Sequence, residues 1–243
     1  MTRIGLQLWT LRDECEADLR GTLFAVGALG YDGVELFGLH GHDAPTVRGW
    51  LDEAGVVACG RHVRLDDDAG AIAAELAVLG TSRAAIAWID PDDLAQPDDA
   101  VARIVAAAES ARAAGFELGF HNHWSELEPL ADGGTFLDRL RTLPAGLLWL
   151  ELDLGWAWIA GADPAAELAA SAGRCPAVHV KDYADRESRD DVPVGDGVVG
   201  YDRLVPAAVA AGVEWLVVEE DDAGDDPFAA VERSLRAVQE LRG

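Results

Sequence analysis

The residues able to do chemistry stand at the ends of short apolar runs. Four of the six histidines, His62, His121, His123 and His179, lie there, together with the carboxylates Glu35, Asp90, Asp153 and Glu219. Imidazoles and carboxylates are the side chains that move protons near neutral pH and ligate divalent metals. Gln7, Trp9, Trp88 and Asn122 occupy similar positions, and Lys181 lies two residues after His179. Of the 19 basic residues, all but Lys181 are arginine. Arginine substitutes for lysine at most solvated positions, but not where a compact, rotatable ammonium is required. A single lysine between His179 and Asp182 therefore points to a site, with accident of composition as the alternative.

The elements that must position these groups repeat as strand, loop and helix. Eight apolar runs read as strands: 3–8, 33–37, 56–62, 84–89, 116–121, 147–153, 177–182 and 214–219. Segments with helical periodicity lie between them, such as 16–29, 97–114, 163–172, 202–211 and 226–241. Such alternation predicts βαβ units and a parallel sheet. Gly30, Gly55, Gly115 and Gly212 each fall shortly before a strand, as helix-ending glycines do. Eight units in a chain of 243 residues predict an α/β fold, a single (β/α)8 TIM barrel occupying 1–243. An open doubly wound sheet is the alternative, but no Gly-x-Gly-x-x-Gly follows the first strand. The stretch 183–200 is polar and glycine-rich, and is expected to form a loop over the barrel mouth.

In a barrel of this kind the C-terminal strand ends carry the active site. Asp153, His179 and Glu219 would come from neighbouring strands six, seven and eight, as mixed carboxylate and imidazole donors for Mn²⁺, Mg²⁺, Co²⁺ or Zn²⁺. A fourth ligand is expected from strand five or its loop, either Glu126 or His121.

Composition narrows the classes. The formal net charge of −25 opposes nucleic acid and anionic membranes as partners, since both are met by basic side chains. No apolar run reaches the roughly 18 residues needed to span a bilayer. The first residues enter a strand-like pattern directly, so no secretory signal is expected, and three cysteines (Cys15, Cys59, Cys175) without metal-ligand spacing suit a cytoplasmic protein.

At this level the chain resembles the sugar phosphate isomerase/epimerase group, the xylose-isomerase-like TIM barrels. The resemblance runs along the whole chain. It rests on Leu6-Gln7-Leu8-Trp9-Thr10-Leu11-Arg12, Gly30-Tyr31-Asp32-Gly33-Val34-Glu35 and His121-Asn122-His123-Trp124-Ser125-Glu126. It continues through Glu151-Leu152-Asp153-Leu154-Gly155-Trp156, His179-Val180-Lys181-Asp182, Pro193-Val194-Gly195-Asp196-Gly197 and Val218-Glu219-Glu220-Asp221. It implies a metal held by Asp153, His179 and Glu219 with a strand-five carboxylate. Related ketose epimerases carry a glutamate at the end of that strand, where this chain has His121; Glu126, five residues on, is the candidate for its role.

The implied activity is isomerisation or epimerisation of a keto-sugar or related polyol, by proton transfer through an enediolate stabilised by the metal. Glu219 and Glu126 would take and return the proton, with His123 or His62 as base or hydrogen-bond partner. Lys181 would sit near the developing oxyanion or steady a ligand through Asp182. Gln7, Trp9, His62, His121, Asn122 and Trp156 would meet the small-molecule sugar. Few basic residues other than Arg12, Arg61 and Arg64 lie near the strand ends, which favours a neutral substrate over a phosphorylated one. β-Elimination from a 3-keto-sugar or inosose uses the same intermediate. An abasic-site endonuclease is opposed by the charge, and a metal-free isomerase or a non-catalytic sugar-binding barrel stays as a rival. A homo-oligomer is left open.

The acidic surplus leads to one test. Carboxylate self-repulsion is screened by salt, and a chain so short of lysine suits concentrated salt. The unfolding midpoint is expected to rise between low and molar KCl; a midpoint that stays flat or falls rejects a high-salt adaptation.

Overall fold

In the computed structural model, which describes residues 1–144 and 146–243, the eight predicted runs close into one parallel barrel. Its strands are β1 (Arg3–Gln7), β2 (Gly33–Leu36), β3 (Val57–Val63), β4 (Arg83–Ile86), β5 (Glu117–His121), β6 (Trp149–Asp153), β7 (Ala177–Val180) and β10 (Trp215–Val218). They pair in chain order, and β10 closes onto β1. Apolar residues and glycine make up most of each strand, and polar side chains stand near the C-terminal ends of β1, β2, β3, β5, β6 and β7, so burial and chemistry separate along the barrel axis.

Most predicted helices are present with shifted ends. α1 spans Arg12–Leu29 and α4 spans Pro97–Ala114; α7, α8 and α9 span Pro164–Ala170, Tyr201–Ala210 and Pro227–Arg242. Four more helices fill units whose helical bounds were not read from the sequence: α2 (Ala44–Ala54), α3 (Ala69–Leu79), α5 (Phe136–Arg141) and α6 (Leu154–Ile159). Their starts are nonetheless written locally. Asp43, Asp68, Thr135 and Asp153 each accept a backbone N–H in the first turn, removing one unpaired donor at each helix start. Gly30, Gly55 and Gly115 end their helices in the left-handed conformation as expected, whereas α8 is capped by Ala211, with Gly212 one residue later.

Two expectations need correction. β4 ends at Ile86 instead of 89, since the chain there turns out toward the rim and leaves Trp88 46% exposed. The stretch 183–200 is not wholly irregular: β8 (Asp182–Tyr183) and β9 (Asp191–Val192) form an antiparallel ribbon. Asp182 organises the remainder. Its carboxylate accepts the backbone N–H groups of Tyr183, Gly195, Gly197 and Val199, and a Cβ on Gly197 would lie 2.3 Å from its Oδ1. A glycine is required there because backbone and carboxylate approach too closely for any side chain.

The floor of the barrel is packed by Cys59, Ala177, Val217 and two tryptophans, Trp149 and Trp215. Indoles of this size fit only where the facing strand has no side chain. A Cβ on Gly119 would lie 2.3 Å from the Trp149 ring, and one on Gly33 would lie 2.8 Å from Trp215 and 2.7 Å from the Val57 carbonyl. The floor thereby seals the interior below the polar layer.

Overpacking a filled core costs about 1–3 kcal/mol. Gly33→Ala is expected to lower unfolding stability by that amount in urea titrations, because neither the Trp215 ring nor the Val57 backbone can withdraw. An unchanged midpoint rejects this account of the floor.

Candidate metal centre in the barrel mouth

Side chains alternate along each strand, and strand register sets the height at which inward ones meet. Register places Gln7 opposite Glu35, His121 opposite Glu151, and Asp153 opposite His179. Glu219 follows the end of β10, where its N–H donates to the Val180 carbonyl at 3.3 Å. Residues from six strands therefore converge in one buried layer, and Glu35, His121, Glu151, Asp153, His179, Lys181 and Glu219 are all at most 5% exposed.

The layer has two levels joined by His179. Its Nδ1 lies 2.8 Å from Glu219 Oε2, and its Nε2 lies 2.8 Å from Glu35 Oε2 and 3.5 Å from Glu151 Oε2. His62 Nε2 lies 2.8 Å from Glu151 and 3.1 Å from Glu35. Gln7 donates to Glu35 at 2.7 Å through Nε2 and accepts the Trp9 N–H through Oε1. Lys181 Nζ stands 2.8 Å from Asp221, 3.2 Å from Glu219 and 3.8 Å from Asp153, with the Trp156 ring centroid 5.1 Å away.

These contacts order the protonation states. Burial alone would raise Glu35, but the charge of His62 and hydrogen bonds from His179 and His62 hold it well below the usual carboxylate range. Glu219 is likewise held low against burial by Lys181 and then His179. Glu151 is pushed up to about 7, by burial first and then by Glu35. Asp153 rises to about 6 through burial, partly opposed by Lys181. Burial would lower His62, yet Glu35 and Glu151 lift it to about 10. His121 and His123 move the other way, His123 down to about 3, through burial and then neighbouring positive charge. The layer thus pairs carboxylates that stay ionised at neutral pH with imidazoles of both kinds.

The donor set fits a divalent cation. Ligand atoms of His121, Asp153, His179 and Glu219 lie within 4.8 Å of one another, and so do those of His62, His121, Glu151 and His179. Asp153 Oδ2, His121 Nδ1 and Glu151 Oε1 are buried without a hydrogen-bond partner. Buried polar atoms are rarely left so, and these are oxygen and nitrogen donors suited to Mn²⁺, Mg²⁺, Co²⁺ or Zn²⁺.

Above the layer opens a cavity of about 590 Å³ lined by Trp9, Phe37, His62, Trp88, His123 and Glu219 among others. Trp9, His62, His121 and His123 thus reach the space where a small molecule would sit. Several expected site residues are placed elsewhere. Asn122 is spent on the backbone: its Oδ1 accepts the Asp153 N–H at 3.1 Å, and its amide faces the Asp153 and His123 carbonyls. Gln7 holds Glu35 beneath the cavity. Trp156 is only 9% exposed and packs between Trp124 and Tyr183. Glu126 stands in the short 3-10 turn Ser125–Leu127, where one carboxylate oxygen accepts the His123 N–H and the Ser125 hydroxyl, each at 3.0 Å. It belongs to neither cation-competent group; the strand end itself, His121, supplies the neighbour to His179. Lys181 touches Glu219 and Asp153 directly and not through Asp182, because alternation turns residue 182 outward to the loop.

The sequence reading passed over Glu151 and Asp221 as site residues. Glu151 had a signal: lying two residues before Asp153, it must face the same side of β6. Asp221 lies beyond its strand, and only the path of the following loop brings it to Lys181.

A family model described as xylose isomerase-like TIM barrel matches residues 23–241. No curated protein matches the sequence. Among solved structures, a sugar phosphate isomerase/epimerase from Parabacteroides distasonis is similar at TM-score 0.80 and 21% identity, over 100% of this chain and 95% of that one. L-ribulose 3-epimerase is similar at TM-score 0.73 and 18% identity, over 100% and 95%. The probable 3-DHS dehydratase AsbF, involved in petrobactin synthesis in Bacillus anthracis, is similar at TM-score 0.77 and 14% identity, over 98% and 99%. At such identities the likeness is one of fold.

Glu151 leads to a pH test. With its carboxyl raised from 4.5 to about 7, the folded chain keeps a proton that the unfolded chain has released across that window. Its contribution to stability is therefore present at low pH and lost as pH rises toward 7. Glu151→Gln is expected to flatten the decline of the metal-free protein's melting temperature between about pH 4.5 and 7. An unaltered slope rejects the assignment.

Proposed function

Because the chain belongs to the xylose isomerase-like TIM-barrel family, we propose that it is a metal-dependent isomerase or epimerase of a keto-sugar or related polyol. The observation that carries this reading is the buried group of His121, Asp153, His179 and Glu219, within 4.8 Å of one another, at the base of a cavity of about 590 Å³. These four residues would hold the ion. A divalent cation supplies Lewis-acid polarisation of a carbonyl oxygen and its neighbouring hydroxyl.

The chain's own groups then divide the remaining work. Glu219 lines the cavity and stays ionised, so it is the carboxylate ready to remove a proton from the carbon beside the carbonyl. Returned to the adjacent carbon on the same face, while the hydroxyl proton passes to the former carbonyl oxygen, that proton completes an isomerisation. Lys181, 3.2 Å from Glu219 Oε2, holds that carboxylate in place and offsets its negative charge. His62 lines the cavity as a cation and donates to a substrate oxygen; His123 beside it is neutral and serves as a hydrogen-bond partner. Trp9, Phe37 and Trp88 present apolar ring surface to the carbon face of a sugar and keep bulk water from the reacting carbon. Glu126, turned into its own loop, would assist only by fixing His123 through its backbone.

A second reading is lyase chemistry in the same mouth, favoured by the placement of Glu126 away from the cavity. Epimerisation needs a second base on the opposite face. Elimination needs one base and one acid: Glu219 takes the proton, the carbon–carbon double bond forms, and His62 protonates the departing hydroxyl, which leaves as water.

The test is a panel of ketoses, 3-keto-sugars and inososes assayed with and without added metal. Dialysis against chelator is expected to abolish turnover and Mn²⁺, Mg²⁺, Co²⁺ or Zn²⁺ to restore it. Glu219→Gln is expected to reduce kcat by about 10²–10⁴-fold, the usual contribution of a positioned base. Undiminished turnover without metal favours the metal-free route, and product analysis separates isomer from dehydrated product.

A further inference from the structure

We propose that Glu35 is a positioning residue that fixes which nitrogen of the His179 ring is presented to the metal. This rests on the reading of His179 as a ligand given above. The two ring nitrogens of His179 face two different carboxylates, Nδ1 toward Glu219 and Nε2 toward Glu35, each at 2.8 Å. Neither a ring flip nor a rotation about the Cβ–Cγ bond preserves both contacts, so the ring has one orientation. With Nε2–H donating to Glu35, Nδ1, 2.8 Å from Glu219, is the nitrogen that would give up its proton to a metal and ligate it. A carboxylate on the far nitrogen also makes an imidazole a stronger ligand.

Glu35 is itself held rigidly. One oxygen, Oε2, receives His179 at 2.8 Å, the Gln7 amide at 2.7 Å and His62 at 3.1 Å. Three donors on one oxygen of a side chain that is 1% exposed fix its plane. The other oxygen rests where residue 60 has no side chain: a Cβ on Gly60 would lie 2.6 Å from Glu35 Oε1. The β2–β3 register slips between Val34 and Glu35, and this slip sets Glu35 opposite Gly60. Glu35 is not among the residues lining the cavity, so it reaches the reaction through the two imidazoles it holds, and its effect on the metal runs through His179.

The charge of Glu35 and the space that Gly60 leaves for it provide separate tests. Glu35→Gln keeps the shape and removes the charge. Gly60→Ala changes no polar group but pushes the carboxylate out of its place. Co²⁺ affinity is measured by chelator competition, and the visible absorption of the cobalt protein is recorded for wild type and both variants, with melting of the metal-free proteins alongside. Each variant is expected to bind Co²⁺ about 10–100-fold more weakly than wild type, as loss of a carboxylate behind a ligating histidine does, and to shift the cobalt absorption. A wild-type protein that takes up no cobalt overturns the metal reading and this inference with it. Wild-type uptake with the same affinity and spectrum in the variants overturns the role of Glu35 alone, even where the variants melt earlier. Should Glu35→Gln fail to fold, Gly60→Ala decides by the same readouts.

Discussion

Four carboxylates, Glu35, Glu151, Asp153 and Glu219, are buried within one barrel mouth, and the compensation of their charge governs the rest of the site. An isolated ionised carboxylate is expensive to bury unless it is paired and hydrogen-bonded. The chain meets this by interleaving. Lys181 stands between Asp153, Glu219 and Asp221, while His62 and His179 stand between Glu35, Glu151 and Glu219. Within this layer Asp153 Oδ2, His121 Nδ1 and Glu151 Oε1 still lack a hydrogen bond, and they belong to residues whose ligand atoms stand close enough to hold a divalent cation.

The architecture below and above this layer follows from keeping it dry on one side and open on the other. Trp149 and Trp215 seal the floor against facing glycines, and the aromatic rim of Trp9, Phe37 and Trp88 surrounds the opening. Buried charges interact strongly only where water is excluded, so the floor is as much a part of the electrostatics as the charges. The net charge of −25 is carried mostly outside this layer, on helices and loops. The Asp182 carboxylate shows how one acidic residue next to the site serves the fold instead, tying the loop that follows β7 by four backbone donors.

Much of the barrel was legible because a half-buried or fully buried strand must be apolar and short, and the helices between must repeat at 3.6 residues. The end of α2 was legible at Gly55, but the starts of α2 and α3 rest on single cap residues, Asp43 and Asp68. The site was legible as a set of strand-end residues, but not as roles. Asn122 and His121 are adjacent, and alternation alone sends one into the barrel mouth and the other to the backbone of β6. Glu126 and His121 are both near the end of β5, and the hydrogen bonds of a tight turn hold Glu126 to the loop. Lys181, conspicuous as the only lysine, proves to be buried among three carboxylates.

By itself the sequence determined the order of elements and which residues would stand at the ends of strands, since both are properties of local periodicity and chain direction. Tertiary structure alone decided which atoms meet. The height of Glu35 against His179 depends on barrel closure and on the slip opposite Gly60, and the meeting of Lys181 with Asp221 depends on the path of a loop. These are relations between residues as much as 144 positions apart. No local pattern encodes them, because strand register and closure are fixed by packing of the whole barrel.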